Sequence, residues 1–289
     1  MVPEFHVIKQ LFDLPGSDEA IVDKPSATPG RDAKQSREFG QYALADGKWE
    51  EAVDHFCRAV TQSDERSPWA LMDLGAAYEA QDKVPQAFRQ YLKAAHIKKS
   101  GELQVALAGI YARLGRSNDA IESLKEAVNL EPHNAFNHYK LADTLRKNGW
   151  GSEAVQAAQV AVACAPDQSF YHYWLGDLLL ELRRYDESVD ALHAAIELSP
   201  GDDELYFLAS QALWGAHKQQ EAVRAIRLAS DIDTENLLYH GLLERYLRTM
   251  GLDEEADLEC RKIDKLEEYD LAVLKRVIER LQLNGVPRV

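Results

Sequence analysis

Apolar side chains return along this chain at helical spacing, and the clusters they form return on a longer period. FNHYKLAD begins at Phe136, and FYHYWLGD begins at Phe170, thirty-four residues later. Inside and beyond these stretches Leu141 and Leu145, then Leu175 and Leu179, stand four apart, as do Leu74 with Tyr78 and Leu107 with Tyr111. That spacing places apolar groups on one face of a helix. A small residue follows the first leucine of each pair, and it marks the long period: Gly40, Gly75, Ala108, Ala142, Gly176 and Ser210, with gaps of 35, 33, 34, 34 and 34. Glu244 keeps the interval without the small side chain. Twelve residues after each mark comes a second small site, at Ala52, Ala87, Ala120, Ala154, Ser188, Ala222 and Ala256. Seven further comes a third, at Ala59, Ala94, Ala127, Ala161, Ala195 and Ala229, with Ile263 last. Small residues at fixed steps let two helix backbones approach closely. The pattern predicts a repeated pair of antiparallel helices.

The punctuation agrees with that reading. Gly47, Gly115, Gly149 and Gly251 fall between the two helices of a pair, where a chain reversal needs a breaker. Pro132, Pro166 and Pro200 fall between pairs, where one helix stops and the next begins. With these marks the chain resembles the tetratricopeptide repeat family. KWEEAVDHFCRAV from Lys48 and RRYDESVDALHAAIELSP from Arg183 are similar to the family's second-helix pattern. A 34-residue helix–turn–helix period is its signature. The resemblance implies an all-α, right-handed superhelical solenoid of about seven repeats, at 33–66, 68–101, 101–134, 135–168, 169–202, 203–236 and 237–270. Residues 271–289 are expected to supply a C-terminal capping helix and tail, with Leu274, Val277, Ile278 and Leu281 on its apolar side. Residues 1–32 lie outside the period. EFHVIKQLF puts Phe5, Ile8 and Phe12 on one side of a short helix, and the Ser-, Asp-, Pro- and Gly-rich stretch from Pro15 to Arg31 reads as a linker.

In this family the first helices of successive repeats line the concave face, and the resemblance places particular side chains there. Tyr139 with Asp143, and Tyr173 with Asp177, are four apart and share a helix face. Arg146 lies one turn on, Phe136 and Phe170 open their helices, and Trp174 follows Tyr173. Phe207, Gln211 and Trp214 continue the strip in the sixth repeat, and Arg245 in the seventh. Exposed rings mark contact surfaces, and Tyr and Trp bury much area for little side-chain entropy. These twelve residues form the candidate peptide-binding strip. Some family members clamp a C-terminal carboxylate with Lys and Asn. Asp73, Glu102 and Ala106 stand where such groups would be needed, so that clamp is not expected.

Composition narrows the function further. The net charge of −15 over 289 residues repels phosphate backbones and anionic membrane surfaces. Neither nucleic acid nor membrane is expected as a partner. Cys57, Cys164 and Cys260 are odd in number and widely spaced, which fits buried thiols in a reducing compartment, and a cytoplasmic location is expected. His138, His172 and His240 recur at one step of their repeats. Neighbouring helix axes lie roughly 8–10 Å apart, whereas zinc needs converging ligands at about 2 Å, so packing histidines are expected and no metal. No phosphate-binding loop, nucleophile elbow, zinc-protease motif or dinucleotide fingerprint is present. No catalytic residue and no cofactor is therefore expected. The expectation is a non-enzymatic adaptor or assembly factor that holds a segment of a partner protein. An accessory subunit of a larger enzyme complex, docked through its convex face or N-terminal arm, is the alternative, followed by a peptide sensor.

Overall fold

A computed structural model describes residues 29–63 and 66–266. Among these residues every regular element is an α-helix. The first six are α1 (Pro29–Ala45), α2 (Trp49–Gln62), α3 (Pro68–Ala80), α4 (Val84–Ile97), α5 (Gly101–Arg113) and α6 (Ser117–Leu130). The next seven are α7 (Ala135–Lys147), α8 (Gly151–Cys164), α9 (Ser169–Glu181), α10 (Tyr185–Leu198), α11 (Asp203–Gly215), α12 (Gln219–Ile232) and α13 (Leu237–Thr249). Residues 253–266 form α14. The expected all-α, helix–turn–helix class is what the structure has. The capping helix with Leu274, Val277, Ile278 and Leu281 lies outside the described residues, as do residues 1–28 of the N-terminal arm. The first helix begins at Pro29 rather than after residue 32, because proline suits the first helical position, where its missing N–H is not needed.

The chain divides into two compact units, one ending at His133 and the other beginning at Asn134. In the first, α1 pairs with α2, α3 with α4 and α5 with α6, and each pair docks on the next through α2 against α3 and α4 against α5. In the second, α7 pairs with α8, α9 with α10 and α11 with α12, and α8 meets α9, α10 meets α11 and α12 meets α13.

The two kinds of connection have different chemistry. Each first helix from α3 on opens after an extended residue, and five of these residues cap it with a side-chain oxygen: Ser67 on the Ala70 amide, Ser100 on Leu103, Asn134 on Phe136, Asp202 on Glu204 and Asn236 on Leu238, at 3.1–3.3 Å. The second helices carry no such cap. They follow a tight reversal in which an amide bonds back five residues, as Trp150 does to the Leu145 carbonyl at 3.0 Å and Arg184 to Leu179 at 2.9 Å. That closure needs a left-handed residue just before it. Gly47, Gly115, Gly149 and Gly251 supply it at φ of 71–78°, and the other three reversals hold Asp82, Arg183 and His217 at 57–61°. A side chain there is strained, and glycine is not.

The periodic small residues seat the helices of each pair. A Cβ on Gly40 would lie 2.6 Å from the Phe56 ring, one on Gly75 2.4 Å from Tyr91, and one on Gly176 2.6 Å from Leu192 Cγ. The second small site is closed to solvent in all seven pairs, from Ala52 through Ser188 to Ala256. Ser188 alone brings a hydroxyl, which donates to the Gly176 carbonyl at 2.7 Å.

Candidate functional site

All twelve candidate residues fall in the second unit, on α7, α9, α11 and α13. At its centre is Tyr139 on α7. Its ring meets Phe170 edge-on at 5.0 Å and Trp174 edge-on at 5.3 Å, with Phe136 at 6.1 Å and Tyr171 at 6.2 Å. The rings do not share one environment. Phe136 and Phe170 are 46% and 48% exposed, large apolar areas left in water on successive first helices. Tyr139 and Tyr173 are half-buried. Trp174 corrects the sequence reading. It is buried, 8% exposed, because α9 turns it inward behind Tyr139, and so it supports the strip from beneath rather than offering a contact. Lys140, absent from the sequence reading, places its ammonium 5.2 Å from the Phe136 centroid and 5.6 Å from that of Tyr139.

The carboxylates are also less available than the sequence suggested. Asp143 takes the ammonium of Lys147 at 2.8 Å, one turn along α7. Arg146 reaches from α7 to α9, pairs with Asp177 at 2.9 Å and with Glu181, and lies over the Trp174 ring at 5.5 Å. Tyr173 donates its hydroxyl to Glu204 on α11 at 3.0 Å. Burial and that acidic acceptor push its pKa up to about 12. Each cross-helix pair ties one first helix to the next. They organise the strip before any partner arrives. Sequence reasoning missed Glu181 and Glu204, because the residue at their steps changes from copy to copy: Lys147 stands at the step of Glu181, and Phe170 at that of Glu204.

Toward α13 the surface changes. Phe207 packs against Tyr239 at 5.2 Å, and Trp214 stacks on Tyr246 at 3.9 Å with the planes 3° apart. Phe207 and Trp214 are half-buried, as is Gln211. Tyr239 is buried, and its hydroxyl donates to Asp203 at 2.5 Å, with burial and that carboxylate raising its pKa. Arg245 is exposed, with its guanidinium 6.0 Å from the Tyr246 centroid. Leu238, not foreseen, is 60% exposed at the start of α13. The ring pairs Phe207–Tyr239 and Trp214–Tyr246 thus fill the space between α11 and α13, while Phe136, Phe170, Leu238 and Arg245 face solvent.

The histidine step has a structural explanation. His172 Nε2 donates to the Pro166 carbonyl at 2.9 Å, Tyr206 donates to Pro200 at 3.1 Å, and His240 Nε2 to Thr234 at 3.1 Å. Each ties a first helix to the loop six residues before it. His240 also meets Glu259 of α14 at 2.8 Å, and Glu259 holds Lys262. Burial opposes the charge of Glu259, but Lys262 and His240 outweigh it and keep the carboxyl below its usual range. Among the described residues no three metal-binding groups converge, and no helix is long and apolar enough to cross a membrane.

Comparisons with known proteins agree with this architecture. Family models described as tetratricopeptide repeat match residues 37–102, 101–134 and 169–202. No curated protein matches the chain. Among solved structures, the C-terminal part of a TPR repeat-containing protein from Cytophaga hutchinsonii is 15% identical, with a TM-score of 0.66 over 81% of this chain and 94% of that one. MamA from Desulfovibrio magneticus RS-1 is 23% identical, with a TM-score of 0.53 over 58% of this chain and 96% of its own. A further MamA crystal structure is 27% identical, with a TM-score of 0.52 over 56% and 96%. These likenesses speak to the fold.

Proposed function

The chain is a tetratricopeptide repeat protein, and we propose that it is a non-enzymatic scaffold that holds a segment of a partner protein along α7, α9, α11 and α13. The supporting observation is the pair Phe136 and Phe170, each nearly half exposed on successive first helices with Tyr139 between them. Burying two such rings gives binding energy that nothing inside the protein already uses, on the order of 1 kcal/mol or more each. Lys140 beside the rings and Arg245 at the far end supply donors for a peptide's carbonyls or carboxylates. Asp143 and Asp177 contribute through their partners Lys147 and Arg146, by fixing the strip. In this reading the seven-repeat division at 33–66 through 237–270 is the scaffold, and the site belongs to its last four repeats.

The test is affinity capture from the native extract with wild type and with Phe136→Ser/Phe170→Ser. Both positions are exposed, so the fold should survive the change. Selective loss of captured partners, with the melting temperature held, is the expected result. Capture of the same partners by both forms would move the binding surface to the second helices or to residues 1–32, as for a subunit of a larger complex.

A further inference from the structure

Phe39 and Tyr42 stand on α1, one residue before and two residues after the small mark Gly40. At these two steps α3, α5, α9, α11 and α13 are closed to solvent, whereas α7 has Leu141 and Thr144 half-buried. Leu74 and Ala77 on α3 are 4% and 0% exposed, Leu107 and Ile110 on α5 4% and 0%, and Leu175 and Leu178 on α9 8% and 1%. The second helix of the preceding pair lies against each of these first helices: α2 on α3, α4 on α5, α8 on α9. No helix precedes α1 among the described residues. Phe39 is therefore 49% exposed and Tyr42 72%. The terminal repeat of a solenoid needs a polar outer face to stay soluble. The first described pair instead keeps two aromatic rings at the positions that a preceding helix would cover.

The chain outside the described residues can supply the cover. Residues 1–28 end at Pro29, the first residue of α1. They carry Phe5, Ile8 and Phe12 at i, i+3 and i+7, an apolar side of the kind the later second helices turn toward their neighbours. As a helix, residues 4–12 would be roughly 13 Å long. The sixteen residues between Phe12 and Pro29 span roughly 22 Å as a coil. Phe39 lies ten residues into α1, roughly 15 Å from the attachment point. The tether therefore reaches, and it holds the segment at an effective concentration of about millimolar.

We propose that residues 4–12 take the place on α1 that a preceding second helix takes on α3, α5 and α9, and cover Phe39 and Tyr42 with Phe5, Ile8 and Phe12. The contact closes the N-terminal end of the repeat array. It lies in the first unit and does not depend on the strip proposed for partner binding.

Hydrogen exchange on the full chain tests it, comparing wild type with Phe5→Ser/Ile8→Ser/Phe12→Ser. The variant changes no residue of the repeats. Expected are amides in residues 33–45 that exchange about tenfold faster in the variant, with the second unit unchanged. Tyr42→Ser, at a position mostly in water, should in turn speed exchange in residues 4–12. Equal exchange of α1 in wild type and triple variant would overturn the proposal, as would wild-type residues 4–12 exchanging at the rate of free coil. Protection of α1 that grows with protein concentration, together with a dimer in sedimentation, would also overturn it by assigning the rings to a second copy.

Discussion

Replacing Gly176 by alanine sets two effects of known size against each other. In a helix interior alanine is favoured over glycine by about 1 kcal/mol. At Gly176, however, the new methyl would lie 2.6 Å from Leu192 Cγ and 3.4 Å from the Leu192 backbone nitrogen. Carbon atoms settle at roughly 3.5–4.0 Å, so α9 and α10 must separate by about 1 Å or Leu192 must leave its rotamer. Leu192 is fully buried and has nowhere to go. Overpacking of this kind costs about 1–3 kcal/mol. The net expectation is a loss of up to about 2 kcal/mol, visible as a melting point lower by up to roughly 4–8 °C. Gly241→Ala is the control. It makes the same chemical change inside α13, where nothing lies within 4 Å of the new methyl, and it should stabilise by about 0.5–1 kcal/mol. Urea titration followed by circular dichroism reads both. A rise in midpoint for Gly176→Ala equal to that for Gly241→Ala would refute the claim that close approach at the small marks seats α9, and with it the framework that holds Phe170, Tyr173 and Asp177 in register.

Arg183→Gly and His217→Gly each relieve a left-handed residue and should raise stability by about 0.5–1 kcal/mol in the same titration. Arg146→Met leaves Asp177 and Glu181 facing each other one turn apart without their shared cation. A loss of about 1 kcal/mol is expected, shrinking as salt screens the repulsion, and a loss that does not depend on salt would point to packing on Trp174 alone. Tyr173, with its pKa pushed up to about 12, stays protonated in the folded protein after an unfolded chain has lost that proton near pH 10. The unfolded state then binds fewer protons, so this group's contribution to stability falls as pH rises from about 10 to about 12. Phenolate absorbance should show late titration from several tyrosines, Tyr239 among them, and Tyr173→Phe should remove one tyrosine's amplitude from it.

The period was legible because packing imposes it residue by residue. Each small mark lies where a neighbouring helix comes too close for a larger side chain, so the row from Ala52 to Ala256 marks a contact whatever surrounds it. Phe136 and Phe170 were likewise readable as a pair, since one step of a repeat presents one face. What the letters could not decide was commitment. Asp177 and Tyr173 look the same in sequence whether they await a ligand or already hold Arg146 and Glu204, because those partners arrive from adjacent helices thirty-one residues away. Trp174 sits beside Tyr173 in the chain, yet one step of 100° around the helix turns it from the surface to the core. Sequence spacing fixes which helix face a side chain occupies, and only the packing of neighbouring helices decides whether that face meets water, a counter-charge or another ring.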